Sequence, residues 1–326
     1  MNTRTLLTAG LLMLGSCGVM SQSPKPGTLL VLNKNDNTLS FVDADALKVV
    51  KTIPVGEGSH ELAVSADGKL AYAPNYATKT HGHSLSVIDV VAQKEIRRVE
   101  LSPLLRPHGV EERDGKVYFI SELTRTVARY DYASDTLNWI TGTGQDGGHM
   151  VVLTPDGKWI YTANRSSNTV SAIEIGETGS PGKIFQIATG SRPEGIDISP
   201  DGKELWVGNT GDGSIDIIDV SSNRIKQRLT VGKVPIRIKF TPDGKRVLVS
   251  DNGAAELLVI DAQKREVIKR LKAEGSPVGL LVTPDGKRAF IARSGANLIS
   301  VVDLGTLDFV GDIRTGNNPD GMAWVK

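Results

Sequence analysis

Residues 195–209 read GIDISPDGKELWVGN, and this stretch decides the fold. Apolar and polar residues alternate at its start, as in a half-buried strand. Pro200-Asp201-Gly202-Lys203 then supplies a tight turn whose glycine is free to take positive φ, and an apolar run leads to Asn209. Working outward, residues 211–213 form a loop, 215–220 a third strand, 221–223 a turn and 225–231 a fourth strand. The Asp-Gly pair recurs, starting at Asp67, Asp114, Asp156, Asp201, Asp243 and Asp285, with separations of 47, 42, 45, 42 and 42 residues. A four-stranded unit copied at that period predicts the blades of a β-propeller.

The chain ends fix the blade count. Residues 321–325 repeat the first strand of the unit (strand A) with nothing after it, whereas 27–33, 38–43 and 49–55 match strands B, C and D with no strand A before them. The C-terminal strand is therefore expected to close the ring beside the N-terminal three. That gives an all-β, seven-bladed propeller of four-stranded antiparallel blades spanning residues 28–326, without the edges of an open array.

With 38 basic and 37 acidic side chains the net charge is +1, and no basic stripe marks a nucleic-acid surface, so nucleic acid is not an expected partner. A monomer is expected. At the N-terminus the apolar run of residues 6–14 is shorter than the roughly 20 residues a bilayer span requires. It ends in Leu14-Gly15-Ser16-Cys17, which resembles the bacterial lipobox, and Cys17 is the single cysteine of the chain, so no internal disulfide can form. The expectation is a signal peptide over residues 1–16, a lipidated Cys17 with a tether to residue 27, and a protein anchored in the periplasm or at the cell surface. An ordinary signal cut after Gly18 or Met20 is the alternative.

Tyr161-Thr162-Ala163-Asn164, Tyr72-Ala73-Pro74-Asn75 and the recurring Pro-Asp-Gly-Lys resemble the YVTN-type (YncE-like) seven-bladed propeller repeats. The resemblance implies the fold and is nearly silent on function, because such propellers serve as binding proteins, surface proteins and enzymes.

Placing motifs in blades disposes of several others. Residues 142–147 match G-x-G-x-x-G, but they join two strands, so no helix N-terminus is available to hold a pyrophosphate. Asp43, Asp89, Asp131, Glu174, Asp219, Asp261 and Asp303 recur at the ends of third strands, where a carboxylate accepts turn N–H groups.

Function is expected where the copies differ. Seven residues before each turn aspartate, or six in the shorter unit at Asp114, the chain enters strand A beside the channel. Around the ring this position holds His60, His108, His149, Glu194, Ile236, Val278 and Asp320. The remaining histidines, His81 and His83, lie in a long B–C loop expected on the same face. Three imidazoles with neighbouring carboxylates suggest ligands for a divalent transition metal, zinc or copper, on His60, His108 and His149. The same groups could instead serve as general acid and base. A second polar column at the ends of strands B reads Asn33, Asn75, Glu122, Asn164, Asn209, Asp251 and Arg293. In it Glu122 and Arg293 break the pattern and become candidate ligand contacts, and Arg106, Arg165 and Arg192 add cations near the mouth.

Two functions follow as expectations. One is a lipid-anchored propeller that binds a small molecule or protein partner at the channel mouth. The other is a metal-dependent hydrolase or lyase using the same face, since Pro107-His108-Gly109-Val110 is similar to the Pro-His-Gly-Ile repeats of streptogramin lyase and some lactonases share the architecture.

Overall fold

The computed structural model describes residues 27–77, 79–176 and 181–325. Cys17 and the signal peptide expected before it lie outside the described residues. The described residues form seven four-stranded antiparallel sheets. Blade one combines β1 (Thr28–Asn33), β2 (Thr38–Asp43) and β3 (Lys48–Pro54) with the last strand, β28 (Pro319–Val325), in the order β28-β1-β2-β3. The expected closure is therefore observed, with Leu30 opposite Ala323 and Thr28 opposite Val325.

Packing between blades explains why the ring holds. Leu30, Phe41 and Ile53 of blade one pack with Ala71, Ala73 and Ile88 of blade two. The other face of blade one, Leu29 and Val31, packs with Phe290, Ile299 and Val301 of blade seven. Each strand thus buries side chains on both faces, which accounts for near-continuous runs of aliphatic residues in β1 and its counterparts. The outermost strands are the exception. β3 buries only Ile53, because its outer edge faces solvent.

The repeated acids do local work, as expected. Asp201 Oδ1 accepts from the Lys203 N–H (3.1 Å) and the Ser199 hydroxyl (2.7 Å), and Gly202 between them has φ +71°. Asp43 Oδ1 accepts from the Ala46 N–H at 2.9 Å. Residues 142–147 run from β11 (Thr136–Gly142) to β12 (Gly148–Leu153) without a helix, so the glycine motif is a strand connection.

The inner strands converge closely at one end of the channel. The position after the histidine column is glycine in four blades. A Cβ on Gly279 would lie 2.0 Å from the Asp320 carbonyl oxygen, and one on Gly321 would lie 2.6 Å from that of His60. Glycine lets adjacent inner strands approach there. In three blades the column instead carries Glu61, Met150 and Arg237, and the two charged members of that set organise the site.

Candidate functional site at the channel mouth

The channel opens into a cavity of about 400 Å³ at the end where strands A begin. His60, His108, His149, Glu194 and Asp320 line it, so the column selected from the sequence does converge. Ile236 and Val278 form its apolar side. His60 precedes β4 (Ala63–Val64), while His108 lies on β8 (Pro107–Arg113), His149 on β12, Glu194 on β16 (Pro193–Ile198) and Asp320 on β28.

The three imidazoles form one continuous group. His60 Nε2 and His108 Nε2 face each other at 2.6 Å, and the His108 and His149 rings stack at 3.6 Å between centroids. His60 Nδ1 lies 2.6 Å from the Gly58 carbonyl oxygen, and His108 Nδ1 lies 2.9 Å from that of His149. The nitrogens of His149 point elsewhere, Nε2 toward Glu194 Oε1 (3.5 Å) and Nδ1 toward Glu122 Oε2 (3.7 Å). The three rings therefore do not aim at a common point, and among the described residues no three His, Cys, Asp or Glu side chains form a metal-binding group.

Electrostatics divide the imidazoles. Burial, reinforced by the charges of Lys34 and His149, pushes His60 well below the usual range, and burial with His149 and His60 does the same to His108. For His149 burial also acts downward, but Glu122 and Glu194 outweigh it and raise the ring above its ordinary value. Burial alone would raise Glu194. His149, Arg237 and Arg165 instead hold it down at about 2.

Arg237, on β20 (Pro235–Phe240) of blade six, is the hub beneath the cavity. Its guanidinium bonds Glu61 of blade two and lies 3.5 Å from Glu194 Oε1 and 3.9 Å from Asp320 Oδ1. Burial opposes its charge, but these carboxylates outweigh that and strengthen its hold on the proton. Burial pushes Asp320 up to about 7.

The second polar column requires a one-residue correction. In blade three the second strand, β9 (Lys116–Ser121), ends at Ser121, which faces Thr126 just as Asn33 faces Thr38. Ser121 is therefore the counterpart of the asparagines, and Glu122 belongs one position later, with Lys34, Tyr76, Arg165 and Ser294. Those four line the cavity, and the Tyr76 hydroxyl donates to Glu122 Oε2 at 3.0 Å. The asparagine column itself is structural: Asn33 Nδ2 donates to Ser40 Oγ (2.9 Å), and Arg293 NH1 donates in the same way to Ser300 Oγ (3.2 Å). Arg293 also donates to the Glu274 carbonyl, so it serves blade seven and does not line the cavity.

Arg192 is exposed on the rim; its backbone N–H donates to Asn168 Oδ1 at 2.8 Å and its carbonyl accepts from the Thr210 N–H at 2.9 Å. Arg106 sits over the Tyr76 ring at 5.2 Å, and Arg165 reaches the cavity with Nε 3.1 Å from Glu194 Oε2. His81 and His83 are exposed and outside the cavity, with His83 Nε2 3.6 Å from Glu100. Lys34, Tyr76, Glu61 and Arg237 were not singled out from the sequence. Shifting each aligned column by one residue would have found all four.

Comparison with known proteins agrees with this architecture. Residues 177–326 match the family model for the YncE-like β-propeller, and residues 107–237 match that for the seven-bladed β-propeller lactonases. No curated protein matches the sequence. Among solved structures, a candidate 6-phosphogluconolactonase from Bacteroides uniformis is similar, with a TM-score of 0.77 at 16% identity over 92% of this chain and 99% of that one. Hydrazine synthase of Kuenenia stuttgartiensis gives 0.74 at 19% over 92% and 100%. A functionally unknown protein from Desulfotomaculum acetoxidans gives 0.76 at 17% over 91% and 98%. Likeness at these identities concerns the fold alone. The ring of seven four-stranded blades with its closing C-terminal strand makes this chain a seven-bladed β-propeller, and its residues 177–326 are similar to the YncE-like propellers.

Proposed function

We propose that this propeller is a binding protein that takes a small hydroxylated anion at its channel mouth, and that it does so outside the cytoplasm on a lipid anchor. One observation carries the binding reading. The cavity wall offers three cations, Lys34, Arg165 and Arg237, against two carboxylates, Glu194 and Asp320, and burial drives Asp320 toward its neutral form. His149 Nδ1, Arg165 Nε and Asp320 Oδ1 are buried there with no hydrogen bond, at ion-pair separations of 3.7, 3.1 and 3.9 Å from Glu122, Glu194 and Arg237. Buried charges of this kind are costly for a fold, which favours a functional role for them. A carboxylate or phosphate would meet the guanidinium of Arg165, and hydroxyl groups would satisfy His149 and Asp320.

Thermal unfolding in the presence of gluconate or 6-phosphogluconate tests the reading, because a ligand of the native state raises the melting temperature with concentration. Absence of any shift with either probe counts against it. The anchor rests on Leu14-Gly15-Ser16-Cys17. Cys17→Ser should move the protein from the membrane to the soluble fraction, and unchanged fractionation counts against lipidation.

A second reading, hydrolysis of a cyclic ester, is favoured by the match of residues 107–237 to the lactonase model, since that stretch contains His108, His149, Arg165, Glu194 and Arg237. His149, between two carboxylates, is placed to exchange a proton with a bound molecule. Ring opening of 6-phosphoglucono-δ-lactone above its spontaneous rate supports this reading, and its absence leaves binding alone. Neither reading uses a metal on all three histidines.

A further inference from the structure

His60 and His108 cannot satisfy their contacts with the protons that two neutral imidazoles carry. The Gly58 and His149 carbonyl oxygens accept hydrogen bonds and cannot donate, so both Nδ1 atoms must bear hydrogen. Each Nε2 then presents a lone pair, and the two lone pairs face each other at 2.6 Å. Exchanging the tautomer of one ring only moves the conflict to a carbonyl. Three contacts each need a positive centre, two neutral rings supply two, and the third must be an added proton or a bound cation between the Nε2 atoms. A carbonyl holding Nδ1–H while Nε2 is free is also the arrangement that orients histidines toward metals.

We propose that His60 and His108 are the two protein ligands of a single imidazole-preferring transition-metal ion, zinc or copper, held between their Nε2 atoms with its remaining positions open to the cavity. His149 is not a ligand, because its two nitrogens are directed at Glu122 and Glu194. Metal–nitrogen bonds of about 2.0–2.1 Å separate two tetrahedral ligand atoms by about 3.3 Å, so the rings must part by about 0.7 Å. The parting falls to the side chains, because the His60 carbonyl is held by the Gly321 N–H at 3.0 Å. The strand that follows, β4, is the shortest inner strand among the described residues. Both rings line the cavity, so an ion between them would face whatever binds there. The proposal concerns the metal alone and stands or falls independently of the hydroxylated anion.

The test is titration of chelator-treated protein with Zn(II), and with Cu(I) under a reductant, in competition with a chromophoric chelator. One equivalent of at least one ion should bind, with affinity reduced by more than about 100-fold in His60→Ala and in His108→Ala, since losing even an outer-shell partner of a ligand costs about 10–100-fold. The double variant His81→Ala/His83→Ala, which removes the exposed imidazoles, should bind as the wild type does. Failure of both ions to bind overturns the proposal, and so does loss of binding in the His81/His83 variant. X-ray absorption of the loaded wild-type protein avoids dependence on the variants folding. Scattering from two imidazoles is expected, and one, or three or more, contradicts the site.

Discussion

Arg237 and Glu61 are 176 residues apart in the chain, yet they form a buried ion pair that joins blade six to blade two across the channel. The same guanidinium faces Glu194 of blade five and Asp320 of blade one, so one side chain ties four blades together beneath the mouth. Removing one partner of a buried pair leaves uncompensated charge, at a cost of about 3–5 kcal/mol. Arg237→Met should lose stability of that order in urea unfolding. Arg237→Met/Glu61→Leu should recover part of it. Equal losses in the single and double variants would deny the pair its role.

Asp320 should make stability depend on pH. Its carboxyl titrates near 3.8 when free and is pushed up to about 7 by burial in the fold, so between those values the native state binds the extra proton. Its contribution is complete below about pH 4 and lost as pH rises through 7. Asp320→Asn cannot ionise. Its stability relative to wild type should therefore improve by more than about 1 kcal/mol between pH 4 and pH 8. A difference independent of pH, followed by urea unfolding, would remove this account.

The closing strand should be indispensable. β28 places Ala323 and Val325 in the buried wall of blade one, and it is that blade's inner strand. A chain truncated before Pro319 should lose cooperative unfolding or melt far below wild type. Unaltered melting by calorimetry is incompatible with the observed closure.

Tyr76 positions Glu122, and through it His149. Tyr76→Phe keeps the ring beneath Arg106 but removes the hydroxyl that donates to Glu122. A loss of about 1 kcal/mol is expected, the usual net worth of such a bond, together with weaker binding of the anion probe. Denaturant midpoints and probe affinity read the two effects separately.

Much of the fold was legible because turn chemistry repeats. The Asp-Gly turns and strand-end aspartates are local features, so each copy announces a strand pair without reference to the rest of the molecule. The site was legible in part. His60, His108, His149, Glu194 and Asp320 stand at equivalent positions and were found by comparing copies. Glu122 was misregistered because blade three has a shorter first turn and ends its second strand at Ser121, which hid Lys34 and Tyr76 in the adjacent column. Arg293 looked like a ligand contact because it departs from asparagine, yet it makes the asparagine's bond to a neighbouring strand. Glu61 and Arg237 were hidden for another reason. Their meaning lies in a pairing across the ring, and a linear comparison of repeats does not display which positions face each other over the axis.

The most direct test of the binding site is calorimetric titration of 6-phosphogluconate into wild-type protein and into Arg165→Gln. Saturable binding by the wild type, weakened about tenfold or more in the variant by loss of a charge-assisted contact, is the predicted result. No binding by the wild type, or equal affinity in both proteins, would contradict an anion site at the channel mouth.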